Sequence, residues 1–450
     1  MRWAGMARVT VVGTGYVGAV TAVCLAFLGH DVVGLDIDRS RVEQLAAAQL
    51  PFHEPGMPER LEDALKSGRL SFASDPAIAV TSADVIFLCV GTPTGHSGVP
   101  DMSQIEAAVR SIAPYLKPGA VVVNKSTVPV GSGNWVRTLI EEALPDIDAF
   151  EFHVVSNPEF LREGAAVEDF LYPDRIVLGG ESGDQGVQVV ADLYYRLLGQ
   201  DFEGGRADFQ PQLIRTDLPS AEMVKYAANA FLATKISFAN EIANICEFVG
   251  ADPRQVLSAI GADSRIGSRF LQHGIGWGGS CFGKDVAALI TTGLDYGYGS
   301  PILRAIVEVN QAQRVLVLRK LQATLKTLKG RRIAVFGLAF KPDTDDLRDA
   351  PSIEIIRRLH AAGAVVSAYD PIVKEVPGFD DVPVRIGTDA YDAADRADAV
   401  VIATEWPDFA ALDLRKLRES MKGSLILDGR GVIAQAAAAQ AGLTIKGFGW

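Results

Sequence analysis

Cysteine is scarce in this chain. Its 450 residues include only Cys24, Cys89, Cys246 and Cys281, and no two of them form a CxxC pair or the spacing of a metal site. This scarcity excludes a disulfide scaffold and indicates thiols that stay reduced, as they do in a cytosol. We therefore expect a cytoplasmic protein without a bound metal ion.

Long apolar runs and excess positive charge are absent as well. No stretch reaches the roughly 18 consecutive apolar residues of a membrane helix, and residues 1–8 are too short and too mixed for a signal peptide. The net charge of −12 is the opposite of what a nucleic-acid binder shows. We expect neither a membrane nor a nucleic acid as partner, whereas an anionic small molecule is compatible because helix N-termini and a few cations can hold one.

The composition is that of a large globular protein. Apolar residues make up 48% of the chain and charged residues 22%, and the length corresponds to two or three domains. Short β-branched runs alternate with alanine-rich helical stretches at 19–28 and 39–48, which is typical of a doubly wound parallel sheet. The strands predicted for this first part are 8–12, 32–36, 85–90, 121–125 and 154–156.

The middle and the end of the chain differ from each other. Residues 219–250 contain many helix formers and no internal glycine, which predicts a helix about 45 Å long. Such a helix could connect domains and form a dimer surface, or it could be a long core helix inside one domain. A second α/β unit follows, with strands predicted at 332–336, 365–369, 399–403 and 424–427. We predict domains at 1–210, 211–329 and 330–450.

A glycine motif follows the first predicted strand. Gly13, Gly15 and Gly18 form GxGxxG, which permits a tight turn, a close approach to a pyrophosphate and close helix packing. Asp36 closes the next strand, at the spacing of a carboxylate that binds the adenosine ribose. The pattern predicts a Rossmann domain that binds NAD, although Arg39 and Arg41 leave NADP possible and a tight turn without a ligand is the alternative.

Two further polar segments follow the ends of predicted strands. Thr92 comes after the third strand and Thr127 after the fourth. Ligands bind at the carboxyl ends of strands in open α/β sheets. Both threonines are therefore candidates for the ligand site.

The stretch GGSCFGKD at 278–285 carries the strongest chemical signal. Glycines leave Cys281 accessible, and a helix that follows would place its positive end near the sulfur and favour the nucleophilic thiolate. Asp285, four residues on, would share a helix face with Cys281. The alternative is a buried cysteine that acts as a small apolar residue, which we expect for Cys24 and Cys89.

Six motifs are spread along nearly the whole chain. They are GTGYVG (13–18), NPEFLREG (157–164), KYAANAFLATKISFANEIA (225–243), GGSCFGKD (278–285), GLAFKPDTDDLRDAP (337–351) and YDP (369–371). Together, and in this order, they resemble the UDP-glucose/GDP-mannose dehydrogenase family. The resemblance implies an N-terminal Rossmann domain, a helical middle with a long connecting helix and a C-terminal Rossmann-like α/β domain.

The resemblance implies an oxidation of a sugar alcohol to a carboxylate with two NAD per turnover. Cys281 matches the family nucleophile, which traps an aldehyde and carries a thioester. Lys225 and Asn229 match residues that stabilise the oxyanion, and their spacing places them on one helix face. Three other matched residues are candidates for handling protons or the hydrolytic water, and we leave open which one acts as base: Asp285, Glu159 and Thr127.

The same matching implies the ligand contacts. Arg265 resembles an arginine that crosses a dimer interface to the sugar, where a guanidinium fits well. For Arg265, as for every lysine and arginine assigned a ligand here, the alternative is a solvated surface charge. The implied substrate residues are Glu159, Phe160, Leu161, Arg162, Lys225, Asn229, Arg265, Phe270, Gly278, Phe340, Lys341 and Arg430. The implied cofactor residues are Gly13, Gly15, Tyr16, Val17, Gly18, Asp36, Arg41, Thr92, Thr127, Glu163 and Arg348.

The resemblance also bears on the substrate and on rival functions. NPEFLREG favours the UDP-glucose and GDP-mannose branches, and residues 174–179 favour UDP-glucose. A two-electron 3-hydroxyacid dehydrogenase would need neither Cys281 nor the last domain. A silent nucleotide-binding or assembly protein would be free to lose the residues matched to catalysis, which are all present: Cys281, Lys225, Asn229 and Asp285. We expect a homodimer through the long helix that oxidises UDP-glucose.

Overall fold

The computed structural model describes residues 6–93, 95, 100–144, 150–377, 379 and 382–450. The chain divides into two compact units, Met1–Ala227 and Ala228–Trp450. The predicted division into three domains stays a prediction. Within the described ranges, no helix has both the length and the apolar character needed to cross a membrane.

The first unit is built on a sheet that contains eight strands among its described residues, in the order β3-β2-β1-β4-β5-β6-β7-β8. Neighbouring strands are parallel except for β6 and β7, which pair antiparallel. The strands are β1 (Arg8–Val12), β2 (Asp31–Leu35), β3 (Leu70–Ala73), β4 (Val85–Leu88), β5 (Ala120–Asn124), β6 (Phe152–Ser156), β7 (Arg175–Gly179) and β8 (Gln212–Thr216).

Helices cover both faces of this sheet because its central strands are apolar on both sides. Val85 and Phe87 of β4 pack into one apolar cluster, and Ile86 and Leu88 of the same strand pack into another. A short 3₁₀ turn covers Ala113–Tyr115. The helices are α1 (Tyr16–Phe27), α2 (Arg39–Ala46), α3 (Met57–Lys66), α4 (Pro76–Val80), α5 (Ser103–Ile112), α6 (Ser132–Ala143), α7 (Ala166–Leu171), α8 (Gln185–Leu193) and α9 (Tyr195–Leu198).

The long helix is confirmed. Helix α10 covers Leu218–Val249, 32 residues, so its length is about 48 Å. It has no internal glycine, and its proline lies at its second position, where a missing amide hydrogen costs nothing. The roles of domain connector and dimer surface stay predictions.

The second unit contains a parallel sheet of six strands in its described part, in the order β11-β10-β9-β12-β13-β14. Residues of β9 again alternate between two apolar clusters, Ile333 and Val335 on one face and Ala334 and Phe336 on the other. The strands are β9 (Arg332–Phe336), β10 (Val365–Tyr369), β11 (Val384–Ile386), β12 (Ala399–Ile402), β13 (Leu425–Asp428) and β14 (Thr444–Lys446). The helices are α11 (Pro253–Gly261), α12 (Phe282–Asp295), α13 (Pro301–Leu325), α14 (Pro351–Ala361), α15 (Ala390–Ala393), α16 (Pro407–Ala410), α17 (Leu414–Ser420) and α18 (Gln435–Gln440).

The strand predictions are largely confirmed, with shifts at the ends. The strands expected at 8–12, 332–336 and 365–369 agree with the structure residue by residue, and the one expected at 85–90 ends two residues earlier, at Leu88. Five strands were not predicted: β3, β7, β8, β11 and β14. Both sheets have the order 3-2-1-4-5-6 in their first six strands, and this order confirms the Rossmann plan of each α/β part.

Candidate active site

The glycine loop lies between β1 and α1, where the strand order of the first sheet reverses. Gly13 has a φ of +87°, and a Cβ on Gly18 would lie 1.8 Å from the Gly13 carbonyl oxygen. Both positions therefore require glycine for the fold itself. A Cβ on Gly15 would meet nothing within 4 Å. This residue caps α1 without a side-chain hydrogen bond, so the helix N-terminus is open to an anion.

The open side at Gly15 fits the pyrophosphate of a dinucleotide. Tyr16 and Val17 follow as the first residues of α1, and both are half-buried. The geometry thus separates two roles within GxGxxG: Gly13 and Gly18 are required by the backbone conformation and packing of the protein itself, whereas Gly15 leaves space for a ligand.

Asp36 directly follows β2, one residue after the strand ends, whereas it was predicted as the last residue of the strand. Its carboxylate accepts hydrogen bonds from the Thr14 amide (2.8 Å), the Thr14 hydroxyl (3.0 Å) and the Asp38 amide (3.0 Å), and Arg41 lies 3.1 Å away. Burial raises the pKa of Asp36, but these hydrogen bonds and Arg41 outweigh burial and hold the pKa below its usual value. An ionised Asp36 therefore fixes Thr14 inside the glycine loop, and Arg41 is bound to Asp36.

The two predicted threonines meet at the carboxyl ends of β4 and β5. The Thr92 hydroxyl donates to the Thr127 carbonyl oxygen at 2.8 Å. Thr92 is buried and Thr127 is half-buried. The structure thus joins two segments that the sequence could only place separately at one sheet edge.

Glu159 and Lys225 form a buried ion pair in the first unit. Lys225 Nζ lies 2.7 Å from Glu159 Oε1, with the side chains 5% and 7% exposed. Burial raises the pKa of Glu159, but Lys225, the Leu161 amide and the cation of Lys125 outweigh burial and hold the pKa below its usual range. The oxyanion and water roles predicted for these two residues stay predictions.

The neighbouring loop residues are held by local contacts. The Arg175 guanidinium lies 3.9 Å from the centroid of the Phe160 ring, and the Leu161 amide donates to Glu159 at 2.6 Å. Arg162 is exposed and binds Asp169 through its backbone amide and its guanidinium. Glu163 is half-buried. The roles predicted for residues 160–163 in ligand binding stay predictions.

Lys125 is a buried cation that the sequence did not reveal as part of this region. It follows β5, is 5% exposed, and donates to Asn157 Oδ1 at 3.2 Å. Burial lowers its pKa, which the neighbouring Cys89 and Glu159 partly offset. Its position at a strand end, two residues before Thr127, was the available signal.

Glu222 is a second residue that sequence reasoning missed. It lies on α10 and is 3% exposed, and its carboxylate accepts from the amides of Gly131 (2.6 Å) and Gly133 (2.7 Å). Burial raises its pKa to about 7 against the effect of these amides. It therefore holds the start of α6, the helix that follows Thr127.

In the second unit, Cys281 is the N-cap of α12. The structure confirms that a helix follows it: its carbonyl accepts from the Asp285 amide at 2.9 Å. The thiol is half-buried, and its sulfur lies 3.6 Å from the Ser280 hydroxyl. A helix N-terminus favours negative charge on a nearby sulfur.

Asp285 is fully buried one turn after Cys281. Its Oδ2 accepts from Asn229 Nδ2 at 2.6 Å and its Oδ1 lies 2.6 Å from Lys284 Nζ. The structure thus brings Asn229 on α10 to the neighbouring residues Lys284 and Asp285 on α12, and Asn229 lies 56 residues before Asp285. The amide of Asn229 and the cation of Lys284 compensate the buried carboxylate.

The glycines before Cys281 are packed so tightly against other parts of the protein that no side chain would fit there. A Cβ on Gly278 would lie 2.3 Å from the Asp349 carbonyl oxygen, and one on Gly279 would lie 2.7 Å from the Phe340 ring. Both glycines therefore allow a close approach to Phe340 and Asp349, and the substrate contact predicted for Gly278 stays a prediction. Phe270 has a φ of +63°, and its ring centroid lies 6.5 Å from that of Phe282.

The remaining predicted cations lie in different surroundings. Lys341 and Arg430 are half-buried, and Arg430 donates to the Ala403 carbonyl at 2.9 Å. Arg265 is 87% exposed and binds Asp263, and Arg348 is 67% exposed and binds Asp346. Their roles in ligand binding stay predictions.

The other cysteines are buried. Burial raises the pKa of Cys24 and of Cys89 to about 12, and Cys246 is 4% exposed. A buried neutral thiol is a poor nucleophile. The expectation that Cys24 and Cys89 act as small apolar residues is confirmed.

Comparison with known proteins extends over almost the whole chain. Residues 7–198 match the NAD binding domain of the UDP-glucose/GDP-mannose dehydrogenase family, residues 219–312 match its central domain, and residues 334–435 match its UDP binding domain. The chain belongs to the UDP-glucose/GDP-mannose dehydrogenase family. It is a nucleotide-sugar dehydrogenase with NAD as cofactor.

Particular relatives are similar over nearly their full length. The chain is 43% identical to UDP-glucose 6-dehydrogenase TuaD of Bacillus subtilis (strain 168), covering 95% of this chain and 90% of the relative. It is also 43% identical to UDP-glucose 6-dehydrogenase of Rhizobium meliloti (strain 1021), covering 98% and 99%. A solved UDP-glucose dehydrogenase from the hyperthermophilic archaeon Pyrobaculum islandicum superposes with a TM-score of 0.88 at 39% identity, covering 100% of this chain and 99% of that one.

Proposed function

We propose that this chain oxidises UDP-glucose to UDP-glucuronate with two NAD per turnover. The observation that carries the proposal is the half-buried Cys281 at the N-terminus of α12, next to the buried Asp285–Asn229 pair. A two-electron alcohol dehydrogenase has no need of such a thiol. The two relatives at 43% identity, both named UDP-glucose 6-dehydrogenase, favour glucose over mannose.

The chemistry of the thiol follows from its position. NAD, when bound, accepts a hydride in each of the two oxidations. Between them, the Cys281 sulfur adds to the C6 aldehyde and forms a hemithioacetal, whose oxidation leaves a thioester. Water then breaks the carbon–sulfur bond, the carboxylate is released, and the thiolate returns. The covalent bond explains why a free aldehyde would not leave the enzyme.

Lys225 and Asn229 are proposed to stabilise the oxygen that becomes negative. They lie four residues apart on α10, so they share a helix face. Both are buried, and hydrogen bonds to a developing charge are stronger where water is excluded. Asp285, Glu159 and Thr127 remain the candidates for holding or deprotonating the hydrolytic water.

The ligand contacts are proposed along the predicted lines. Gly15 and Asp36 would hold NAD together with Thr92 and Thr127, and the loop of residues 159–162 would hold the sugar. The UDP moiety would be bound by the third predicted domain, 330–450, through Lys341 and Arg430. Because Cys281 must stay reduced to react, we place the enzyme in a reducing compartment such as the cytoplasm.

A homodimer through α10 is proposed from the surface of that helix. Phe231, Phe238 and Ile245 recur every seven residues and are 64%, 49% and 49% exposed, and Phe248 is 89% exposed. An apolar stripe of this kind on a long helix fits the same helix of a second copy. Light scattering after size exclusion should show a dimer that Phe238→Glu dissociates, whereas Tyr298→Glu, which changes an exposed aromatic residue outside α10, should leave it intact.

The decisive experiment counts NADH. Purified enzyme is mixed with limiting UDP-glucose and excess NAD, beside the Cys281→Ser variant and a GDP-mannose control. We expect two NADH per UDP-glucose, with turnover lost or stopped after the first NADH in the variant. One NADH per sugar from the intact enzyme would refute the four-electron reaction and favour a two-electron 3-hydroxyacid type of chemistry. Two NADH from GDP-mannose alone would correct only the sugar.

A further inference from the structure

Glu54 is a buried carboxylate that the proposed reaction does not use. It lies in the segment between α2 and α3 and is 2% exposed. A carboxylate in such a place needs several hydrogen bonds to offset the loss of water. Its partners show which parts of the first unit it holds.

The partners come from two separate segments, the start of α1 and residues 164–166 at the start of α7. Glu54 Oε2 accepts from the Tyr16 hydroxyl and from the Gly164 amide at 2.7 Å. Its Oε1 accepts from the Ala166 amide at 2.8 Å. The Gly164 amide also lies 3.0 Å from the Tyr16 hydroxyl oxygen, so Glu54, Tyr16 and Gly164 form a closed triangle in which Tyr16 and Gly164 both donate to the Glu54 carboxylate.

Tyr16 and Gly164 each belong to a segment to which the proposed function assigns a ligand. Tyr16 is the first residue of α1, directly after Gly15, and its ring centroid lies 4.8 Å from that of Phe52, two residues before Glu54. Gly164 ends the segment 157–164 that contains Glu159, and it has a φ of +78°. One carboxylate thus joins the start of the cofactor-binding helix to the end of the loop proposed to hold the sugar.

We propose that Glu54 is a positioning residue that couples the binding of NAD to the order of the 157–164 loop. Part of the inference rests on the proposed function, because that function assigns the sugar to this loop. A ligand that fixes Tyr16 also fixes Glu54, and through it Gly164 and Ala166. Coupling of this kind is reciprocal: each ligand raises the affinity for the other by the same factor.

Two measurements on Glu54→Gln test the coupling. The glutamine has the same size, but its NH₂ group must face one of the donors that the carboxylate accepts from. In the native enzyme, NADH should slow hydrogen exchange of the amides at 160–167 by about tenfold. UDP-glucose should lower the Kd of NADH, measured by NADH fluorescence, by about tenfold as well. In the variant both factors should fall to within about twofold of one.

Controls separate positioning from mere stabilisation. Glu62→Gln, on the exposed face of the nearby α3, should keep both factors. Tyr16→Phe removes the hydroxyl that donates to Glu54 and accepts from the Gly164 amide, and it should lower both factors even if Glu54→Gln does not fold. Retention of native factors in Tyr16→Phe, or in a folded Glu54→Gln, would overturn the proposal. If the native enzyme does not bind UDP-glucose, the proposed function fails, while exchange with NADH alone still decides the role of Glu54.

Discussion

The buried pair of Lys225 and Glu159 makes the sharpest prediction about stability. Lys225→Met removes the ammonium and keeps a straight side chain. Because both side chains are less than a tenth exposed and their charged atoms lie 2.7 Å apart, the change leaves a buried carboxylate without its main cation. Breaking such a pair from one side costs about 3–5 kcal/mol. We expect the free energy of unfolding to fall by that amount near neutral pH.

The pH dependence of this loss has a definite sign. In the native protein the pKa of Glu159 lies below its usual value, so its contribution to stability is present above the unfolded pKa and is lost as the pH falls through the folded pKa. In the variant, burial raises the pKa, so the ionised carboxylate costs stability that protonation restores as the pH falls. The difference between the two proteins should therefore shrink between pH 7.5 and pH 4.5.

Urea unfolding at both pH values, followed by circular dichroism and tryptophan fluorescence, measures the difference. Lys66→Met breaks an exposed pair with Glu62 and should leave the unfolding midpoint almost unchanged. Adding Glu159→Gln to Lys225→Met should recover part of the loss, because the unpaired charge is gone. A loss no larger than that of Lys66→Met, or one equal at both pH values, would refute the reasoning.

Three further predictions concern other parts of the structure. Gly15→Ala should keep the native unfolding midpoint but lose NADH binding in a fluorescence titration. Gly18→Ala should lower the unfolding midpoint and also lose NADH binding, because its Cβ would lie 1.8 Å from a carbonyl oxygen. Equal midpoints and equal NADH binding in the two variants would contradict the separation of roles. Brief N-ethylmaleimide treatment at pH 8 should modify Cys281 well before Cys24 or Cys89, because burial raises the pKa of those two thiols to about 12. Mass spectrometry that finds early adducts on other cysteines would count against Cys281 as the nucleophile. Burial raises the pKa of Glu222 to about 7, so this group stabilises the fold below its unfolded pKa, near 4.5, and the contribution, at most about 3 kcal/mol, is lost as the pH rises through 7. Glu222→Gln should therefore reduce the change in the free energy of unfolding between pH 5 and pH 8. Urea titrations at the two pH values that show the same change in both proteins would refute this.

Local patterns could be predicted from the sequence. The strand before Gly13, the helix after it, the helix after Cys281 and the long α10 all have signals confined to a few neighbouring residues. Strands β11 and β14 escaped prediction because each has only three residues. Strand β8 escaped because its side chains are exposed or half-buried, so no apolar run marks it.

Contacts between distant segments could not be predicted. Glu54 binds an amide 110 residues further along the chain, and Glu222 binds two amides about 90 residues before it. Neither carboxylate lies in a motif whose spacing points to its partner. The partners of Asp285 were likewise not predicted, although its place after Cys281 was. Sequence reasoning thus pointed to Cys281 as the candidate reacting group and missed most of the contacts that hold the candidate site in place.

The tight packing of Gly278 and Gly279 has a consequence for redesign of this enzyme. Because Asp349 and Phe340 lie where a side chain on these glycines would be, the backbone before Cys281 is located by direct contact and has no slack to absorb a larger residue. Substitutions at Phe340 or near Asp349 should therefore also shift Cys281, the proposed nucleophile. New specificity is better sought at positions that do not touch this loop.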